Sequence, residues 1–223
     1  MTFTEAQSWQ DRGLQMQNIK DKCNAIIDKL SLPEDDARTQ GMIHVRQMCN
    51  TLAHVPIALQ HQAESNADLI REILLISDIE GLENVLRDLN ANSKLSFITV
   101  IQFAFENCIK TILEALGEQA PKSFYESARK IIEITQIPDP DTKRIILMIP
   151  ANMRNALHRN GIHTKPDIAP ISIDGATYEF RQGQRPNCGS WSHLSHIIFE
   201  VLNIYEEILT ASTITRISHI PNW

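Results

Sequence analysis

The sequence predicts an all-α fold: a helical bundle with a small β-hairpin inserted before the C-terminal helix. Three observations predict it. Apolar residues recur at threes and fours through most of the 223 positions, the spacing that puts them on one face of a helix. Pro, Gly and Asn-rich breaks punctuate those stretches at intervals suited to helices rather than strands. One segment alternates instead, on either side of Asp174-Gly175, a dipeptide that favours the two-residue turn of a hairpin.

Taken in order, residues 4–30 read as a helix through Trp9, Met16, Ile19, Cys23, Ile26, Ile27 and Leu30, with Gly13 weakening its start. Ser31-Leu32-Pro33-Glu34 breaks it. Glu34, Asp35 and Asp36 then suit the positive end of a second helix dipole, and that helix runs over 33–63 with a kink at Pro56. His44, His54 and His61 lie along it without a metal-like pair and read as solvated or capping residues.

A helix at 67–76 follows, and Ser77-Asp78 begins another through Leu82, Val85, Leu86 and Leu89. Asn90-Ala91-Asn92-Ser93 reads as a loop. The most apolar helix spans 95–116, closed by Gly117, and the next runs over 121–135. After the rigid turn Ile137-Pro138-Asp139-Pro140-Asp141, a helix at 141–149 leads into a short separate helix opened by Ile149-Pro150 and closed by Asn160-Gly161. The hairpin is Ile171–Ile173 with Ala176–Phe180. Ser190 or a neighbour caps a last helix through Leu209, beyond which Ile214, Ile217, Ile220 and Trp223 dock back. No repeat or low-complexity segment interrupts the chain, and 1–223 reads as a single domain.

The composition is that of a globular protein, 43% apolar and 22% charged, with a net charge of −6. Such a chain does not coat nucleic acid by bulk electrostatics, so any contact with it must be a local basic patch. Cys23, Cys49, Cys108 and Cys188 are scattered without a CxxC pair, which gives no support to zinc. The first residues lack a basic, then apolar, leader, and no apolar run reaches the roughly 18 residues that span a bilayer. The expectation is a soluble, reduced, cytoplasmic protein with no membrane contact.

The chemically dense stretch is Arg154-Asn155-Ala156-Leu157-His158-Arg159-Asn160-Gly161-Ile162-His163. On a helix, Met153, Ala156 and Leu157 face a core. Arg154 and His158, four apart, share the opposite side with Asn155 beside them and Arg159 at the margin. A guanidinium, an amide and an imidazole on one face, with small Ala151 leaving room, suit a phosphate. An exposed Arg and His complementing a helix C-terminus is the plainer reading of the same letters. Glu106 and Asn107 are polar residues inside the most apolar helix. They read either as buried polar support, with Arg154 as partner, or as a solvated face.

The order of these features, an apolar helix with an embedded polar pair, then Arg154-Asn155…His158…Asn160-Gly161, then a hairpin and a closing helix, resembles the HEPN superfamily of helical domains. The resemblance is to its bacterial and plasmid-type branches with an Arg-Asn-x-x-His-x-Asn-Gly segment. It covers residues 95–210, with 4–90 as extra N-terminal helices. It implies a homodimer whose motif helices meet in one cleft, and a metal-independent endoribonuclease needing no cofactor, in phage defence or a toxin–antitoxin system with an antitoxin partner. Arg154 would hold the scissile phosphate, His158 would act as general base or acid, and Asn155 would orient one of them. Arg159, His163 and Arg181 would bind RNA. Arg154 and His158 are separated by three residues, less than is usual in active members. The resemblance therefore equally implies a non-catalytic dimeric module that binds a nucleotide, RNA or a partner protein.

Overall fold

The computed structural model describes residues 2–119 and 121–221. The first helix, α1 (Trp9–Leu30), is opened by a reciprocal cap: Ser8 Oγ accepts from Asp11 N–H while the Asp11 carboxylate accepts from Ser8 N–H at 2.9 Å. It ends at Ser31, in the left-handed region at φ 50°. Met16, Ile19, Cys23 and Ile26 are its buried stripe, the residues the spacing singles out.

The second expected helix is divided. Asp36 caps α2 (Ala37–Met48), a π-helical segment (Cys49–His54) follows, and α3 (Val55–Ser65) carries Pro56 in its first turn. Proline has no N–H to return to the carbonyl four residues back. The chain lengthens its hydrogen bonding just ahead of it, with Val55 N–H donating to Asn50. The expected kink is thus a π-bulge. Of the three histidines along this stretch, His44 and His61 are exposed, and His54 meets the Gly13 carbonyl at 3.2 Å.

After α4 (Ala67–Ile73), Asp78 caps α5 (Ile79–Ala115), 37 residues without a break and about 55 Å long. The loop expected at 90–93 does not exist. Two asparagines and a serine cost a helix only a few tenths of a kcal/mol each, and tertiary contacts override them. Ser93 is buried, and Asn90 Oδ1 accepts from Trp191 Nε1 at 2.9 Å. The joined helix is long and apolar enough, by length and composition, to cross a bilayer, where the broken reading expects no such run. Its Phe97, Ile101, Phe105, Ile109 and Ile112 lie in the domain's core.

Ser123 caps α6 (Phe124–Thr135). The two short helices expected next are one, α7 (Pro140–Leu157), with Pro140 in the first turn and Pro150 inside. Pro150 opens no new helix. It is buried with Leu147, Ile149 and Met153, and this packing holds the helix together across the missing donor.

The strands β1 (Ile168–Ile173) and β2 (Ala176–Phe180) pair antiparallel as expected, with Ile173 opposite Ala176. Asp174 and Gly175 take φ of 45° and 94°, the sign that the tight hairpin turn requires at both central residues. Ala176, Tyr178 and Phe180 form the buried face. Ser190 caps α8 (Trp191–Thr210), its Oγ accepting from His193 N–H at 3.2 Å.

Helix α8 packs on α1 and α7, while α5 packs on α2, α6 and α7. Tyr205 of α8 donates to the Phe105 carbonyl of α5 at 2.6 Å. Beyond α9 (Ser212–Thr215), Ile214 and Ile220 dock as expected; Trp223 lies outside the described residues. Cys23, Cys49, Cys108 and Cys188 are all buried and unpaired. The product is a mostly helical domain whose one hairpin precedes the long C-terminal helix.

Candidate functional site

The site is built where α7 stops. Hydrogen bonding continues through His158 N–H to the Arg154 carbonyl at 3.0 Å, and Asn160 (φ 56°) and Gly161 (φ 80°) then turn the chain left-handed. The following residues are strapped to the loop after β2. His163 N–H donates to Gln184 at 2.9 Å, Gly183 N–H donates to His163 at 2.8 Å, and Gln182 N–H donates to Asp167 Oδ1 at 2.6 Å.

Between the helix end and this strap lies a groove of about 270 Å³, lined by Asn155, Ala156, His158, Arg159, His163, Thr164 and Lys165. His158, Arg159, Thr164 and Lys165 are exposed, Asn155 is half-buried, and among the described residues no carboxylate lines the groove. Four of the residues singled out in the sequence thus meet at one place: Asn155, His158, Arg159 and His163.

The other four do not join them as expected. Arg154 meets α5 at Phe103, its guanidinium carbon 5.5 Å from the ring centroid, and its Nε and Nη2 donate to Asn155 Oδ1 at 3.3 and 3.1 Å. It touches the groove only through Asn155. Arg181 lies outside the groove and pairs with Glu179 at 3.3 Å. Glu106 pairs with Lys110 one turn along α5 at 2.8 Å, and Asn107 is exposed. Neither gives Arg154 buried support. Ser93 and Gln102 are the buried polar residues of that helix among those described. Gln102 is 1% exposed, with neither side-chain polar atom hydrogen-bonded among the described residues.

His163 also differs from expectation. It is buried, its Nε2 3.2 Å from the Pro166 carbonyl and its ring centroid 5.6 Å from that of Phe180. Its buried ring forms part of the groove wall. Thr164 and Lys165 were missed because they sit in an irregular stretch before Pro166, where no periodicity marks a shared face. Phe103 was missed because it shows as one more apolar residue of α5.

Away from the groove, Asp174, His196 and Glu200 bring oxygen and nitrogen donors within 4.8 Å of one another. Tyr178 Oη lies 2.7 Å from His196 Nδ1 and fixes that ring. Each of the three has other interactions, and Tyr178 bonds the hairpin to α8 through His196 Nδ1 and the His193 carbonyl.

No protein-family model, curated protein or solved structure matches the chain. The functional reading rests on the groove and its neighbours.

Proposed function

We propose that this protein is a HEPN-like module that binds RNA through the groove at the end of α7, without cleaving it. The observation that carries the reading is the charge of that groove. On a chain of net charge −6, the groove gathers Arg159, Lys165, His158 and the Asn155 amide with no acidic residue among them. Cations, an amide and a hydroxyl are the groups that position a phosphate backbone. The placement of Arg154 favours binding over cleavage. The guanidinium that would neutralise a scissile phosphate lies 5.5 Å from the Phe103 ring centroid, is bonded to Asn155, and stands outside the residues that line the groove with His158.

The endoribonuclease reading keeps one observation in its favour. The His158 imidazole is exposed in the same groove as Asn155 and Arg159, and a symmetric homodimer would supply a second set of donors. A toxin–antitoxin or phage-defence role, with an antitoxin as protein partner, belongs to that reading.

Labelled single-stranded RNA titrated with the protein in EDTA, followed by gel analysis of the recovered RNA, separates the two. Binding with intact RNA is expected. The paired variant Arg159→Ala/Lys165→Ala should weaken it and lower the salt dependence by about 1.4 in log–log slope. RNA cut in EDTA by the parent but not by His158→Ala establishes the nuclease instead. No binding of any RNA at tens of micromolar protein ends both.

A further inference from the structure

The next face of the α7 terminus borders a second, larger cleft of about 600 Å³, within the size range of small-molecule sites. It shares only Ala156 with the groove. Three elements wall it. Arg87, Asn90 and Lys94 come from α5, Asn160 and Gly161 from the end of α7, and Arg185 from the loop that leads into α8.

Three features of the lining are informative together. The first is charge: Arg87, Lys94 and Arg185 border the cleft, and among the described residues no Asp or Glu does. None of these cations has an ion-pair partner among the described residues. Lys94 is half-buried, and that burial pushes its ammonium below its ordinary value, with Arg12 adding to the effect and Glu5 opposing it. A partly desolvated cation is stabilised by an anion brought to it.

The second feature is a held amide. Asn90 Oδ1 accepts from Trp191 Nε1, which leaves the Asn90 NH₂ as its remaining donor end. The third is the floor, which is apolar: Met153, Leu157 and Leu194. Gly161 keeps one wall thin. At φ 80° it has no side chain, and the Arg185 Nε lies 3.8 Å from where a Cβ would stand.

We infer that this cleft binds a small molecule that joins phosphate groups to a flat apolar ring, a nucleoside mono- or diphosphate. Its phosphates lie among Arg185, Lys94 and Arg87, and its ring lies over Met153, Leu157 and Leu194. None of the three cations is ion-paired among the described residues, and a cleft of about 600 Å³ suits one such molecule. The inference does not rest on the RNA reading, because the two sites have different cations.

Calorimetric titration of the full chain with AMP, ADP and adenosine tests it, with Arg185→Ala and Lys94→Met as variants and far-UV circular dichroism as the folding control. Arg185 is exposed on a loop, so its removal leaves the fold intact. Saturable one-to-one binding of AMP or ADP is expected. It should be weaker by about tenfold or more for adenosine and in both variants, and unchanged in Arg159→Ala. Nucleotide binding in a protein that binds no RNA supports the cleft while ending the RNA reading. The inference is overturned if neither nucleotide binds at millimolar concentration, or if Arg185→Ala and Lys94→Met bind as the parent does. It is equally overturned if those variants lose RNA affinity while AMP and ADP fail to compete, which makes the cleft part of an RNA track.

Discussion

Asp36 and Arg38 form an ion pair that is almost entirely closed to solvent, with side chains 0% and 1% exposed and Arg38 Nη2 2.7 Å from Asp36 Oδ2. Arg38 Nε adds a second bond to Oδ1 at 2.8 Å. The pair also ties down the C-terminal segment. Arg38 donates to the Ile214 and Ile217 carbonyls, and Asp36 Oδ2 accepts from Ile220 N–H.

Removing one member leaves the other charge buried and alone, which costs far more than a surface pair is worth. Arg38→Met is expected to lower stability by about 3–5 kcal/mol, read from the denaturant midpoint. Burial alone would raise the Asp36 carboxyl. The bonds from the Arg38 side chain, Ile220 N–H and Arg38 N–H outweigh it and hold the group below its ordinary 3.8. Its stabilisation is therefore present above that pH and lost as pH falls through the lower folded value. A variant as stable as the parent would show the pair to be dispensable.

His193 and His54 work at higher pH. Burial lowers the pKa of both below the ordinary 6.5; at His193 the nearby His196 adds to it and Glu5 opposes it, and at His54 the Gly13 carbonyl opposes it while Lys20 adds. A depressed imidazole means that the unfolded chain binds more protons, so stability is full above about 6.5 and falls as pH drops below it. The melting temperature should decline between pH 7 and 5, and His193→Asn should flatten that decline. An unchanged slope in the variant counts against this assignment.

Gln102 is expected to be replaceable. Its amide is buried without a hydrogen-bond partner among the described residues, and an unsatisfied polar group costs about 1–3 kcal/mol. Gln102→Met keeps a similar volume and removes the cost. Thermal melting should rise by a few degrees, about 2–4 °C per kcal/mol at this chain length. A fall of that size would mean that the amide has an ordered partner in solution.

Arg154 should act on RNA through Asn155. Its two bonds to Asn155 Oδ1 orient the amide that lines the groove. Arg154→Ala should weaken RNA binding less than Arg159→Ala, and the combination with Asn155→Ala should add little to either single loss. Filter-binding affinities of the parent and the four variants test this. Fully additive losses would place Arg154 directly on the RNA.

Local chemistry was enough to read much of this molecule. The helical class follows from apolar spacing, the hairpin turn from Asp174-Gly175, the last helix from its Ser190 cap, and the stop after His158 from Asn160-Gly161. Each depends on residues a few positions apart, whose backbone preferences act wherever the segment is placed. Packing decided the rest. Asn90–Ser93 and Ile149-Pro150 look like breaks, and become helix because Trp191 and the buried stripe of α7 hold them. The Arg154 guanidinium sits by Phe103, some fifty residues earlier in the chain, and lies outside the residues that line the groove. His163 became a wall because the strap through Gln184 closes over it. A side chain's direction is settled by neighbours distant in sequence, and spacing along one helix carries no record of them.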